Sequence, residues 1–371
     1  MSGSIGFAVD LGTTTIDACL IDSGNGSVLA NTSRKNRQAR YGSDVINRIL
    51  TVTRDASFLR VLRELVCEDI RDMLSDMLEQ CDLKADKVDM ICVCGNTTMI
   101  SILLAYDIEP LGRYPFTTRL KKSVLCDSES LFSLEGLSCP VLLSGCASAF
   151  IGGDILAGMV FLNRRFAFGE SGTQLLLDLG TNGEMILYRA GSYYGASTAC
   201  GPAFEGCVRR QNAYGSNVID AVSLGVKAGK IGRDGVIREP FFEKGLDIQG
   251  VHLDMNIMQQ LMLAKAAIRA GIDCLADTAQ ITVPDIEAVY LAGGFGFYLN
   301  PENAIAIGLL PDCFRGRIRV CGNTSLSGAG EMLCHADAKA AMDSLTDGVI
   351  QVVQLASSDG YHVRLLEHMH V

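Results

Sequence analysis

The tetrapeptide Asp-Leu-Gly-Thr closes an apolar run twice, in FAVDLGTTTI at 7–16 and again in LLLDLGTNGE at 175–184. Each copy reads as a strand that turns at a glycine and returns as a second strand. The first continues as IDACLIDSGNGSVLANTS, with a turn at 22–26, and the second as EMILYRAGSYYGASTA, with a turn near Gly191. Helical periodicity follows in both halves. Leu59, Leu62, Val66, Ile70, Met73 and Met77 share one face in the first half. Ile257, Leu261, Ala264, Ile268, Ile272 and Leu275 share one in the second. A further strand follows each helix, VDMICVCG in the first half and IEAVYLAGGFG in the second. The same order of elements occurring twice predicts a duplicated α/β lobe, and the repeat is far too long for a solenoid.

The expected organisation is lobe I over 1–165, lobe II over 166–345 and a C-terminal strand extension over 346–371. A connecting helix is expected over 147–163, RRFAFGESG as an exposed link, and a matching helix over 325–342 at the end of lobe II. The closing GVIQVVQLASSDGYHVRLLEHMHV alternates enough for one or two strands, with His362, His368 and His370 in a solvated tail.

Composition excludes several classes. A formal net charge of −10 and the absence of a long basic run argue against nucleic acid or an anionic membrane as partner. No segment approaches ~18 uninterrupted apolar residues, and the first residues have no signal-peptide pattern, so a cytoplasmic protein is expected. Fourteen cysteines in 371 residues fall below a disulfide scaffold, and their spacing contains no C-x-x-C. Most are expected to be small buried hydrophobes in a reduced compartment.

The repeated motif carries chemistry. A tight hairpin presents backbone N–H groups, glycine lets a phosphate approach them, and threonine hydroxyls add donors. The strand-end carboxylates Asp10 and Asp178 suit a hydrated Mg2+, which takes one or two carboxylates plus waters and phosphate oxygens. Two such hairpins clamp β- and γ-phosphates, with one Asp positioning Mg2+ and the other orienting a water or acceptor. A third element, VYLAGGFG at 289–296, ends a buried strand in paired glycines, which lets a flat ring lie against the backbone. Asn300 and Pro301 then read as the N-cap and first residue of a helix.

These three pieces, in this order, resemble the acetate and sugar kinase, heat-shock 70 chaperone and actin (ASKHA) superfamily over nearly the whole chain. The resemblance implies two ribonuclease H-like lobes of duplicated actin-like architecture, an interlobe nucleotide cleft, and an ATPase with ATP and Mg2+ as cofactors. Carried onto this sequence, the phosphate-1 motif is Asp10 with Gly12, Thr13, Thr14 and Thr15. The phosphate-2 motif is Asp178 with Gly180, Thr181, Asn182 and Gly183. The adenosine motif is Gly293, Gly294, Phe295 and Gly296. Asp154, in the proposed connecting helix, stands where relatives place a catalytic or Mg2+-linked acid, or is a solvated helix charge; Glu205 has the same ambiguity.

The stretches NRQARYGSDVINRI, CGNTTMISILLAYDIEPLGRYPF, STACGPAFEG and AGGFGFYLNPENAIAIGLLP resemble, more specifically, the C-terminal ATPase domain of reductive activators of corrinoid proteins. That resemblance implies an ATP-dependent activator that returns a Co(II) corrinoid protein to Co(I) in anaerobic methyl transfer. Fuller members carry an N-terminal [2Fe–2S] ferredoxin domain. No cluster-binding cysteine set is seen here, so no iron–sulfur cluster is expected and the electron is expected from a separate donor such as a ferredoxin. Cys92 and Cys94 share one face of their strand, either as core residues or as ligands to a cluster shared in a homodimer. Cys200 and Cys207 flank GPAFEG, where redox sensitivity is an open reading. Gly95–Thr98 either caps the following helix or faces the site or partner. The competing functions are a small-molecule kinase and a non-catalytic actin-like or chaperone-like ATPase.

Overall fold

The computed structural model describes residues 4–180, 182–199 and 215–371, and the chain divides into two compact units. Unit 1 comprises 1–167 with 324–350, and unit 2 comprises 168–323 with 351–371.

Unit 1 is built on six strands: β1 (Ile5–Leu11), β2 (Thr15–Asp22), β3 (Ser27–Lys35), β4 (Val88–Gly95), β5 (Val124–Asp127) and β6 (Pro140–Leu143), in the order β3-β2-β1-β4-β6-β5. β1, β2 and β3 form an antiparallel meander, β4 and β6 extend it in parallel, and β5 runs antiparallel at the edge. β1 is central, with Phe7, Ala8, Val9 and Leu11 fully buried, as expected for a strand covered on both faces. The helices are α1 (Val45–Arg54), α2 (Phe58–Gln80), α3 (Thr97–Leu103), α4 (Ser128–Phe132) and α5 (Gly153–Phe166). In α2 the apolar stripe read from the sequence is buried at Leu62, Val66, Ile70, Met73 and Met77.

Unit 2 repeats the meander and its parallel extension. β7 (Thr173–Leu179), β8 (Asn182–Arg189) and β9 (Ser192–Ala199) are antiparallel, and the hairpin β10 (Leu246–Ile248) with β11 (Val251–Leu253) stands apart. β12 (Ala288–Ala292) and β13 (Ile318–Gly322) add in parallel, and β14 (Ile350–Val352) borders the far edge, giving β13-β12-β7-β8-β9-β14. The order β3-β2-β1-β4-β6 of the first sheet therefore recurs as β9-β8-β7-β12-β13 in the second. Each unit has the ribonuclease H-like sheet of a duplicated actin-like fold. Its helices are α6 (Gly215–Lys227), α7 (Met255–Thr278), α8 (Gly293–Tyr298) and α9 (Pro301–Ala306). All six predicted stripe residues of α7 are buried.

Several expectations differ. The segment 325–342 is two helices, α10 (Thr324–Cys334) and α11 (Ala336–Leu345), interrupted at His335. Both belong with unit 1, where α10 lies along α5, rather than closing lobe II as chain order suggests. RRFAFGESG is not a wholly exposed link: α5 runs to Phe166, ends at a left-handed Ala167, and Phe168 is buried. The C-terminal segment holds one short strand, and YHVRLLE is a helix, α12 (Tyr361–Glu367). It is tied to α7 by the Arg364–Asp277 ion pair, and His368 Nε2 meets Asp273 Oδ2 at 2.6 Å, so that histidine is not a solvated tail residue.

The contact between α5 and α10 sets a sharp constraint. A Cβ on Gly328 would stand 2.1 Å from the carbonyl oxygen and 2.5 Å from the carbonyl carbon of Ala157. Both are backbone atoms, so no rotamer relieves the clash. Gly328→Ala is expected to lower stability by roughly 1–3 kcal/mol, the range of an overpacked core. Urea unfolding measures this; a midpoint unchanged from the parent would show that the helices separate freely.

Candidate functional site

The two Asp-Leu-Gly-Thr turns are built alike. In unit 1, β1 and β2 pair so that Leu11 opposes Ile16 and Asp10 opposes Asp17. In unit 2, Leu179 opposes Gly183 and Asp178 opposes Glu184. Directly opposed residues project to the same face, so each hairpin presents two carboxylates side by side. Like charges so placed destabilise a hairpin unless something positive sits with them, and the arrangement occurs twice. Asp17 and Glu184 were absent from the sequence-derived set. The signal was available: each sits where strand alternation returns to the face of the motif aspartate.

The unit 1 turn is held by side chains from other elements. Asn36 Nδ2 donates to Gly12 O at 3.0 Å, and Asn36 N donates to Thr14 O at 2.9 Å. Arg48 Nη2 donates to Thr13 O. Asn96 combines two roles held apart in the sequence reading: its Oδ1 caps α3 by accepting from Met99 N at 3.0 Å, and its Nδ2 donates to Thr13 Oγ1 at 3.0 Å. A Cβ on Gly12 would lie 2.3 Å from Thr15 O, so the turn itself requires this glycine. Ser325, in α10, donates to Asp10 Oδ1 at 2.8 Å. Beside it the Thr324 hydroxyl is buried with no partner among the described residues.

Asp154 lies in the first turn of α5, where its Oδ1 accepts from Ile155 N at 2.9 Å. Burial pushes its carboxyl up to about 6, opposed by the backbone N–H groups of Ile155 and of Asp154 itself. Cys92 and Cys94 are fully buried in β4. The Cys94 thiol is held well above its ordinary range, first by a hydrogen bond with Cys92, then by burial, and further by the charges of Asp10 and Asp154. Full burial of both residues fits a core role, and a thiol held as far up as that of Cys94 makes a poor metal ligand, since the thiolate is the ligating form.

In unit 2, Gly180 N donates to Asn182 O at 2.9 Å, closing the second turn, and Gly183 is the second residue of β8. Gly293 has φ +88°, and a Cβ there would meet both Asp178 Oδ1 and Leu179 O at 2.5 Å. The glycine motif after β12 is thus packed directly on the end of β7. Among the described residues, a Cβ added at Gly294 would meet nothing within 4 Å, and one added at Gly180 would meet Asn182 O alone, at 3.9 Å. That open backbone fits an approaching phosphate or flat ring. Gly296 is buried against Leu291. Thr181, the side chain of Phe295, Cys200, Glu205 and Cys207 lie outside the described residues. Among the described residues no cluster of three or more His, Cys, Asp or Glu could hold a metal ion. A hydrated Mg2+ on one or two carboxylates does not require one.

Residues 5–164 match the model of the RACo middle region, and 172–211 with 207–371 match that of the C-terminal domain of RACo, the ASKHA domain. The chain belongs to the RACo family. It is 27% identical over 390 aligned positions to the corrinoid activation enzyme RamQ of Eubacterium limosum, covering 87% of this chain and 63% of that protein. It is 25% identical to the [Co(II) methylated amine-specific corrinoid protein] reductase of Methanosarcina barkeri, covering 95% of this chain and 73% of that one. The solved structure of a reductive activator for corrinoid, iron–sulfur protein superposes with a TM-score of 0.89 at 25% identity, over all of this chain and 66% of that one. The chain therefore spans 63–73% of the length of these relatives. Among the described residues no helix is long and apolar enough to cross a membrane.

The Asp154 carboxyl gives a pH signature with a definite sign. Its folded value of about 6 stands above the ordinary 3.8, so between these values the folded state binds more protons than the unfolded state. Its contribution favours folding below about 4 and is lost as pH rises through 6. Asp154→Asn keeps an acceptor for Ile155 N and removes the charge. The variant is expected to gain roughly 2–3 kcal/mol over the parent on going from pH 4 to pH 7.5. Urea unfolding across that range tests it; a parent–variant difference independent of pH would refute the shift.

Proposed function

We propose that this chain binds Mg-ATP at its two Asp-Leu-Gly-Thr hairpins and couples ATP hydrolysis to reductive reactivation of a Co(II) corrinoid protein. The proposed setting is the cytoplasm, with electrons from a separate donor such as a ferredoxin. The observation that carries the reading is the duplicated hairpin, with an opposed acid pair in each copy, in a chain that superposes along its whole length on a reductive activator for corrinoid, iron–sulfur protein. The relatives named as a corrinoid activation enzyme and a corrinoid protein reductase support the partner class. The free state of all twelve described cysteines suits a reducing compartment.

The donor set fits the nucleotide. Backbone amides of 12–15 and 180–183 would receive phosphate oxygens, as oriented peptide dipoles do in anion-binding turns. Asp10 and Asp178 would hold Mg2+ through water, with Asp17 and Glu184 adding charge beside them. The open backbone at Gly294 would lie against the adenosine. Mg-ATP would supply a phosphoanhydride whose cleavage is favourable. Asp178 is the proposed residue that orients the attacking water, and Ser325 fixes the rotamer of Asp10 through its 2.8 Å hydrogen bond. ATP can assist cobalt reduction only if the ATP-bound chain prefers a reducible state of the corrinoid partner over its resting state.

Asp10→Asn and Asp178→Asn are each expected to lower ATP turnover by about a hundredfold while shifting the ATP dissociation constant by only about threefold. Ground-state binding would come from backbone amides, whereas the carboxylates act in the transition state. Single-turnover hydrolysis and calorimetry separate the two, and parent-like turnover in either variant would make that aspartate structural.

An anaerobic titration of a Co(II) corrinoid protein, followed by the cobalt spectrum, is expected to yield Co(I) only with this chain, ATP and an external reductant together. ATP turnover should rise when the corrinoid protein is added. Phosphorylation of a small metabolite, with no response to corrinoid protein, would instead establish the kinase reading.

A further inference from the structure

The phosphate-1 hairpin has a buried positive charge behind it. Arg48, in α1, is fully buried, as is Gln38, and Asn36 is only 1% exposed. Besides its bond to Thr13 O, Arg48 donates from Nη1 to Gln38 Oε1 at 2.8 Å, and Nη1 stands 2.9 Å from Met99 Sδ. Arg48 Nε reaches Gly42 O at 3.1 Å. Gln38 is fixed in turn, its N donating to Asn36 Oδ1 at 2.9 Å and its Nε2 to Leu62 O at 2.8 Å. A guanidinium taken entirely out of water is costly, and a neutral side chain of similar length would fill the same space more cheaply.

Its position suggests what offsets the cost. The carbonyl of Gly12 belongs to the same peptide group as the N–H of Thr13, and the carbonyl of Thr13 to that of Thr14. Asn36 donates to the first carbonyl and Arg48 to the second. A donor at the oxygen end of a peptide polarises the group and strengthens its N–H as a donor, more so when the first donor is charged and the surroundings are of low dielectric. Successive peptides of one turn thus receive side-chain donors at their carbonyl ends.

We propose that Arg48 is a positioning residue that, with Asn36, primes the Thr13 and Thr14 amides to bind phosphoryl oxygens, so that its charge selects for the polyphosphate part of a ligand. The inference rests on the nucleotide reading for ATP itself, but its chemistry applies to any phosphoanhydride.

The test compares the parent with Arg48→Gln, Arg48→Lys and Gln38→Glu. The last keeps the guanidinium in place and neutralises its charge with an adjacent carboxylate, so it reports on charge even if Arg48→Gln fails to fold. Calorimetry with ATP and adenosine, and amide proton shifts of Thr13 and Thr14 during inorganic pyrophosphate titration, are the readouts. Arg48→Gln and Gln38→Glu are expected to weaken ATP binding about ten- to hundredfold, leave adenosine within about twofold, and move the Thr14 amide upfield, with Arg48→Lys recovering part of the loss. Loss of melting temperature with unchanged ATP affinity, or equal loss of ATP and adenosine, would reduce Arg48 to a structural plug and overturn the proposal. If the parent ignores nucleotides but pyrophosphate still shifts these amides in an Arg48-dependent way, the nucleotide reading fails and this one stands. If neither ligand moves them, both fail.

Discussion

The pairing of β1 between β2 and β4 is the constraint on which unit 1 depends. A strand buried on both faces tolerates little polarity, and its only part-exposed member is Asp10, the residue before the last. Register makes that exception purposeful. The antiparallel side places Asp17 opposite Asp10, and the parallel side places Cys94 beside it. A slip of one residue would bury the carboxylate and expose Leu11, so the apolar face of the strand holds the acid at the turn. Gly95 completes the arrangement, since a Cβ there would stand 2.7 Å from Leu11 O.

Much of this was legible because its causes are local. Alternating apolar residues, a glycine at each turn and 3.6-residue stripes in α2 and α7 are properties of short windows, and the duplication made each copy a check on the other. What escaped depends on partners distant in sequence. Arg48 sits in an amphipathic helix where an arginine reads as solvent-facing, and only the fold brings Gln38, Met99 and the Thr13 carbonyl around it. YHVRLLE is too short to nucleate by its own propensity, and its attachment comes from the Arg364–Asp277 ion pair and the His368–Asp273 contact to α7 that no window contains. Chain order likewise could not reveal that α10 packs with the first unit, because that contact needs Gly328 against the backbone of α5.

The duplicated turns share a register but are stabilised in different ways. The first is braced by polar side chains from three separate stretches of unit 1: Asn36, Arg48 and Asn96. The second is braced by backbone, since Gly293 lets the start of α8 close directly onto Asp178 and Leu179. A turn fixed by buried side chains can be tuned in charge without moving its backbone. A turn fixed by glycine contact allows no such tuning but brings a second segment of open backbone, at Gly294, next to the acid. Duplication followed by this divergence leaves one turn held by side chains from distant stretches and the other packed beneath a glycine that begins the next helix.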